Sequence, residues 1–190
     1  FVGVRDAAAP AVLGVERVLQ LGQRLRGVLD AEVGDPGPAG EIPARVYSPA
    51  GAHGPVPVVA YFHGGGWAVG SIDSFDTVVR ALANAACAVV ASVGYRLAPE
   101  HRFPAAVDDC LAATRWLAST ASELGGDPAR LAVAGDSAGG NLATIVARRL
   151  RDEGDSPVRF QALIYPVTDA ALNTPSYREF AEGYGLTAQG

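Results

Sequence analysis

The chain of 190 residues contains no methionine and no lysine, so all 15 of its basic residues are arginine. It opens on Phe1, and without a methionine neither end need be a natural terminus. Twenty acidic residues against those 15 give a net charge of −5, which leaves no basic stripe for nucleic acid. There is no run of about 18 apolar residues to span a membrane, and no charged-then-apolar leader at the start. The two cysteines, Cys87 and Cys110, are too few for a disulfide framework. Their apolar surroundings read as buried free thiols, which favours a reducing, cytoplasmic setting. No His/Cys/Asp cluster has ligand spacing, so no metal and no organic cofactor is implied. Histidine is scarce too, with only His53, His63 and His101 in the chain.

Glycine, by contrast, is plentiful, and its placement carries the chemistry. Gly135-Asp136-Ser137-Ala138-Gly139 follows the apolar run Leu131 to Ala134 and precedes the helix-like run Asn141 to Arg151. A serine is thereby set on a strand-to-helix turn, where glycine two residues to either side relieves backbone strain and lets strand and helix pass closely. With 23 glycines and nine serines in the chain, this spacing arises by chance about 0.13 times, so it is weak evidence by itself. His63-Gly64-Gly65-Gly66-Trp67 ends a second strand-like run, Val56 to Phe62. Three glycines directly after a histidine are expected by chance only about 0.005 times.

The second motif has a physical task. Attack of a serine on an ester carbonyl makes an oxyanion, and each backbone N–H aimed at it lowers the barrier by about 3 kcal/mol. Consecutive glycines let neighbouring N–H groups turn toward one point with no Cβ in the way. A glycine loop can also cradle a phosphate, but no Lys follows here to complete a P-loop.

Taken with Gly94-Tyr95-Arg96-Leu97-Ala98-Pro99-Glu100-His101, Phe103-Pro104-Ala105-Ala106, the extension of the serine motif through Gly140-Asn141, and Ile164-Tyr165-Pro166-Val167-Thr168-Asp169, these segments resemble one family. From about Val56 to Gly185 the chain is similar to the hormone-sensitive-lipase-like group, family IV, of the α/β-hydrolases. The resemblance implies an α/β-hydrolase fold with a helical cap, and hydrolysis of short-to-medium acyl esters through an acyl-enzyme. It implies Ser137 as nucleophile, the N–H groups of Gly65, Gly66 and Ala138 as oxyanion hole, and His63, Gly64 and Asp136 in support. The partner it implies is a small ester, with a homodimer as the candidate assembly.

The family's triad runs Ser, then Asp or Glu, then His along the chain, yet no histidine follows Ser137. The resemblance therefore implies that the general base and its orienting acid lie beyond Gly190. Asp169 sits one strand too early for that acid and reads as structural, and His63 reads as ordering its loop. Two other classes stay open. Some plant hormone receptors resemble this family and keep the serine while losing the histidine, and a further relative would use the oxyanion hole for elimination. Trp67 reads equally as an acyl-pocket residue or as packing under the loop, and Tyr95 to Glu100 reads as a structural crossover.

Period and composition predict strand and helix in alternation, an α/β layer architecture. Val15 to Leu29 has helical spacing of apolar residues and is expected as an amphipathic helix; the family resemblance implies that residues 1–35 form an N-terminal cap segment and 36–190 the hydrolase core. Asp35 to Gly40 reads as a turn and Ile42 to Tyr47 as an antiparallel strand. Val56 to Phe62, Ala88 to Val93, Leu131 to Ala134 and Phe160 to Tyr165 read as parallel strands buried on both faces. Ser74 to Ala86, Pro104 to Leu124 and Gly140 to Arg151 read as the intervening helices, and Glu182-Gly183-Tyr184 resembles the start of the family's cap helices.

Overall fold

In the structure, a computed structural model describing residues 25–37, 40–154 and 156–184, six strands form one mixed sheet. They are β1 (Leu25–Gly37), β2 (Gly40–Pro49), β3 (Val56–Phe62), β4 (Val89–Val93), β5 (Gly126–Asp136) and β6 (Val158–Ile164). Their spatial order is β1-β2-β4-β3-β5-β6. β1 with β2 and β2 with β4 are antiparallel, and the remaining pairs are parallel. Helices α1 (Asp76–Ala86), α2 (Ala105–Thr120) and α3 (Ala138–Asp152) make the crossovers, and a short α4 (Pro175–Glu179) follows β6.

β3 and β4 read as almost unbroken Val, Ala and aromatic runs because helices cover both faces of the sheet. On one face, Val107, Cys110 and Leu117 of α2 and Leu142, Val146 and Leu150 of α3 pack on Ile42, Val58, Phe62, Val93 and Leu131. On the other, Val79 and Ala83 of α1 pack on Tyr47, Val59, Tyr61 and Val90. The apolar positions of α3 recur three and four residues apart while Arg148, Arg149 and Arg151 face solvent, the stripe expected of a helix with one buried side.

The chain leaves β3 toward β4 and later returns across it to β5, so the strand order reverses between β3 and β5. Loops leaving the carboxyl ends of neighbouring strands diverge at such a reversal and open a crevice. Phe62 pairs with Gly135 there, which sets the loop after β3 beside the turn after β5.

Four expectations need correction. Leu25 to Leu29 belongs to strand β1, paired with β2 from Leu25↔Pro49 onward, where a helix was expected; Val15 to Arg24 lies outside the described residues. Pairing to a neighbouring strand overrides the helical spacing, and the expected boundary at residue 35 falls inside β1, whose ladder reaches Gly37↔Gly40. β6 is a strand, as expected, but it lies at the sheet edge with Phe160 66% exposed and Leu163 and Ile164 also exposed, because no strand pairs its outer side among the described residues. Cys87 is exposed at the end of α1, and only Cys110 is buried. Finally, residues 181–184 form bends after α4 rather than the start of a helix, with Phe180 and Tyr184 packed edge to face. Among the described residues no helix is long and apolar enough to cross a membrane.

Candidate active site

β5 ends at Asp136 and α3 begins at Ala138, leaving Ser137 alone at the turn with φ 51 and ψ −117. A serine rarely adopts such a backbone, which stores on the order of 1–3 kcal/mol of strain. Hydrogen bonds on both sides hold it in place. The Ser137 N–H donates to the Ile164 carbonyl at 2.9 Å, and the Ser137 carbonyl accepts from Asn141 N–H at 3.1 Å and Val167 N–H at 3.2 Å. The Asn141 side chain adds a bond from Nδ2 to the Val167 carbonyl at 2.8 Å. Ser137 itself remains partly accessible.

Close approach explains the flanking glycines. A Cβ on Gly135 would lie 2.4 Å from backbone atoms of Gly139, and one on Gly140 would lie 2.9 Å from Pro166 Cβ. In the loop after β3, Gly65 has φ 124 and Gly66 φ 60. The Gly65 carbonyl accepts the N–H groups of Ala68 at 3.1 Å and Val69 at 3.0 Å, closing the loop on itself. The N–H groups of Gly65, Gly66 and Ala138 make no hydrogen bond to any other described residue. The last of these opens helix α3, where the positive end of the helix dipole adds to the field.

His63 is 1% exposed and sits under this loop. Its ring stacks on Tyr95 at 4.4 Å and Phe75 at 5.4 Å. Nδ1 donates to the Gly64 carbonyl at 2.7 Å, and the Tyr95 hydroxyl donates to the His63 carbonyl at 2.7 Å. Burial pushes the imidazole below its ordinary value, against the raising influence of the Gly64 carbonyl and the Asp136 charge. The ring is thus held between two aromatic faces with Nδ1 on the loop backbone. Asp136, 7% exposed, accepts the Tyr61 hydroxyl at 2.7 Å and the Gly64 N–H at 2.9 Å. Burial, and then the bond to Asp136, pushes the Tyr61 phenol well up.

Ser137 Oγ has no side-chain hydrogen-bond partner among the described residues. Asp169 closes its own turn by accepting Ala171 N–H at 2.8 Å. Among the described residues no group of His, Cys, Asp or Glu could hold a metal ion.

A cavity of about 360 Å³ adjoins the glycine loop, lined mainly by Gly66, Trp67, Phe103, Pro104, Leu142 and Ile145. Trp67 lines this cavity and also packs on the core. The Tyr95 to Glu100 segment is anchored at two points. Arg96 pairs with the buried Asp109 at 2.6 Å, and Ala98 N–H donates to the Trp67 carbonyl at 2.8 Å. Sequence reasoning missed that Ala98, His101 and Phe103 also wall the cavity. No spacing rule could have found them, because the contact joins two loops more than 30 positions apart. A larger hollow of about 880 Å³ lies at the opposite end of the sheet, by Val56, Val89 and Gly126, remote from Ser137.

A sequence model described as the α/β hydrolase fold matches residues 59–190. The chain is 54% identical over 142 residues to carboxylesterase NlhH of Mycobacterium tuberculosis, a match covering 75% of this chain and 44% of that protein. It is 49% identical over 156 residues to ethyl acetate hydrolase of Pseudomonas putida, covering 78% of this chain and 48% of that one. Its structure superposes on a hyperthermophilic esterase of the archaeon Pyrobaculum calidifontis with TM-score 0.81 and 44% identity, over 90% of this chain and 57% of that one. The chain thus spans about half the length of the relatives it matches. A mostly parallel sheet with its strained serine at the strand-order reversal, and relatives named as a carboxylesterase, an ethyl acetate hydrolase and an esterase, agree in one conclusion: the chain belongs to the α/β-hydrolase fold family.

Proposed function

We propose that the intact protein is a carboxylic ester hydrolase working through an acyl-enzyme on Ser137. The observation that carries this reading is a serine held at φ 51, with the backbone N–H groups of Gly65, Gly66 and Ala138 in the adjoining loop and turn left without a partner among the described residues. Ser137 Oγ attacks the ester carbonyl, and the carbonyl oxygen takes up negative charge facing those donors. The alcohol then leaves, and water frees the acid from the serine ester. A serine hydroxyl is a weak nucleophile without a base within reach. His63 does not serve in our reading as that base, since it is 1% exposed, stacked against Phe75 and Tyr95, and makes no hydrogen bond to Ser137.

The substrate class we infer is a short-to-medium acyl ester. The cavity beside Gly66, about 360 Å³, is near the lower end of the roughly 300–1,000 Å³ of ordinary ligand pockets. Its wall is mostly apolar, which suits an uncharged hydrocarbon arm of the ester. The names of the relatives, carboxylesterase and ethyl acetate hydrolase, support the same class.

The test is hydrolysis of p-nitrophenyl butyrate by the full-length protein and by Ser137→Ala. The variant is expected to retain only about 10³–10⁴ over water, from the oxyanion hole and binding. Unchanged turnover would sink the assignment.

A further inference from the structure

We propose that Asp136 is a positioning residue for the oxyanion loop: its buried carboxylate, backed by Tyr61, ties the strand that carries the serine to the loop that carries the oxyanion donors. The inference rests on the esterase reading above and adds to it the device that keeps nucleophile and oxyanion hole in register.

Asp136 is the residue before Ser137 and the last of β5, while Gly64 lies two residues past the end of β3. Parallel pairing of these strands ends at Phe62↔Gly135 on this side, and the glycine loop departs from there. Its other ties hold carbonyls: the Gly64 carbonyl by His63, the His63 carbonyl by Tyr95, the Gly65 carbonyl by Ala68 and Val69, and the Trp67 carbonyl by Ala98. Asp136 is the side chain of the elbow that grips a loop N–H, that of Gly64 at 2.9 Å, with the same Oδ1 receiving the Tyr61 hydroxyl at 2.7 Å. Tyr61 is itself buried in β3, so a core strand holds the carboxylate from behind.

The contact is close enough to dictate sequence on the other side. A Cβ on Gly64 would lie 2.2 Å from Asp136 Oδ2 and 3.1 Å from its Cγ. The glycine is needed there so that the loop can lie on the carboxylate. Stability alone does not account for Asp136. A buried carboxylate is costly unless paired with a cation, and among the described residues Asp136 makes no ion pair, in contrast to Asp109, which is clasped by Arg96. Its yield is a charge-assisted bond of fixed direction on the residue next to the first donor, Gly65.

Oxyanion contacts act on the transition state more than on bound substrate, so displacing the donors lowers kcat and leaves KM nearly unchanged. The test compares Asp136→Leu, Asp136→Asn and Tyr61→Phe in the full-length protein, with Ser137→Ala alongside and affinity for a trifluoromethyl ketone, whose hemiketal oxygen occupies the oxyanion hole. Asp136→Leu is expected to lower kcat about 10- to 100-fold, below the ~10²–10³ of deleting a donor outright, with KM within about threefold and the ketone weakened in parallel. Asp136→Asn keeps an oxygen able to accept both bonds and is expected to restore kcat to within about threefold of the parent, and Tyr61→Phe to fall between the two. If Asp136→Leu fails to fold, Gly64→Ala decides the matter instead, because it lifts the loop from the carboxylate and is expected to give the same selective loss in kcat. Parent-like kcat and ketone affinity in the folded Leu or Ala variant, with Ser137→Ala inactive, overturns the positioning role while the esterase reading stands. An active Ser137→Ala overturns the esterase reading and the positioning role with it.

Discussion

A Cβ placed on Gly139 would lie 1.9 Å from the carbonyl oxygen of Phe62 and 2.7 Å from that of His63. The first turn of α3 therefore rests directly on the end of β3. This contact, with Gly135 against Gly139, is why the serine turn is crowded with glycine.

Substitution at this contact should separate steric from conformational roles. Gly139→Ala drives a methyl into backbone that cannot retreat, and it is expected to destabilise by more than about 3 kcal/mol or to prevent folding. Gly66→Ala meets nothing within 4 Å but sits at φ +60, so only the left-handed conformation is penalised, by about 1–2 kcal/mol. Urea midpoints of the two variants check this, and equal losses would contradict it.

Acyl selectivity should follow the wall of the cavity beside Gly66. Each methylene gains about 0.8 kcal/mol while there is room, and overpacking then reverses the trend by about 1–3 kcal/mol. For the full-length protein, kcat/KM on p-nitrophenyl esters is expected to peak at short-to-medium chains. Ile145→Ala, which widens the cavity, should move the peak to longer ones. A steady rise to long chains in the parent protein, or a peak unmoved by Ile145→Ala, would show that the acyl arm lies elsewhere.

Stability should decline in a particular acid window. Burial holds the His63 imidazole below its ordinary 6.5, so as pH drops past 6.5 the unfolded chain takes up a proton that the folded one refuses. Proton binding then favours the unfolded state, and stability falls between 6.5 and the lower folded value, with no contribution from His63 above that window. Carboxylates held low, such as Asp76, act only below the ordinary carboxylate range of 3.8. Urea midpoints of the parent between pH 7.5 and 5 are expected to fall, and those of His63→Gln to change less. Parallel slopes in the two proteins would refute this account.

Asp109 is 3% exposed and is gripped by Arg96 through Nε and Nη2. Removing the cation strands a buried carboxylate, so Arg96→Ala is expected to lose about 3–5 kcal/mol, with the Arg96 backbone N–H, still bonded to Oδ2, limiting the loss. The pair anchors the segment that supplies Ala98 and His101 to the cavity. KM for the ester should therefore rise at temperatures where the variant is folded. An unchanged KM would detach this loop from the substrate site.

The sequence alone determined what local chemistry dictates. Alternating apolar runs and helical stripes marked β3, β4, α1, α2 and α3, because each pattern encodes which side of the element is buried. Gly135 to Gly139 and His63 to Trp67 marked the two loops, because close approach or positive φ demands glycine in those segments. Tertiary structure decided what depends on neighbours. Leu25 to Leu29 carries helical spacing but pairs with β2, and Cys87 lies in an apolar stretch but ends its helix in solvent. Asp136 meets Gly64 across 72 positions because β3 and β5 lie side by side, and Trp67 meets Phe103 at one cavity beside the paired ends of β3 and β4. Strand pairing and burial are long-range outcomes, in which a partner far along the chain supplies the energy that outweighs local preference.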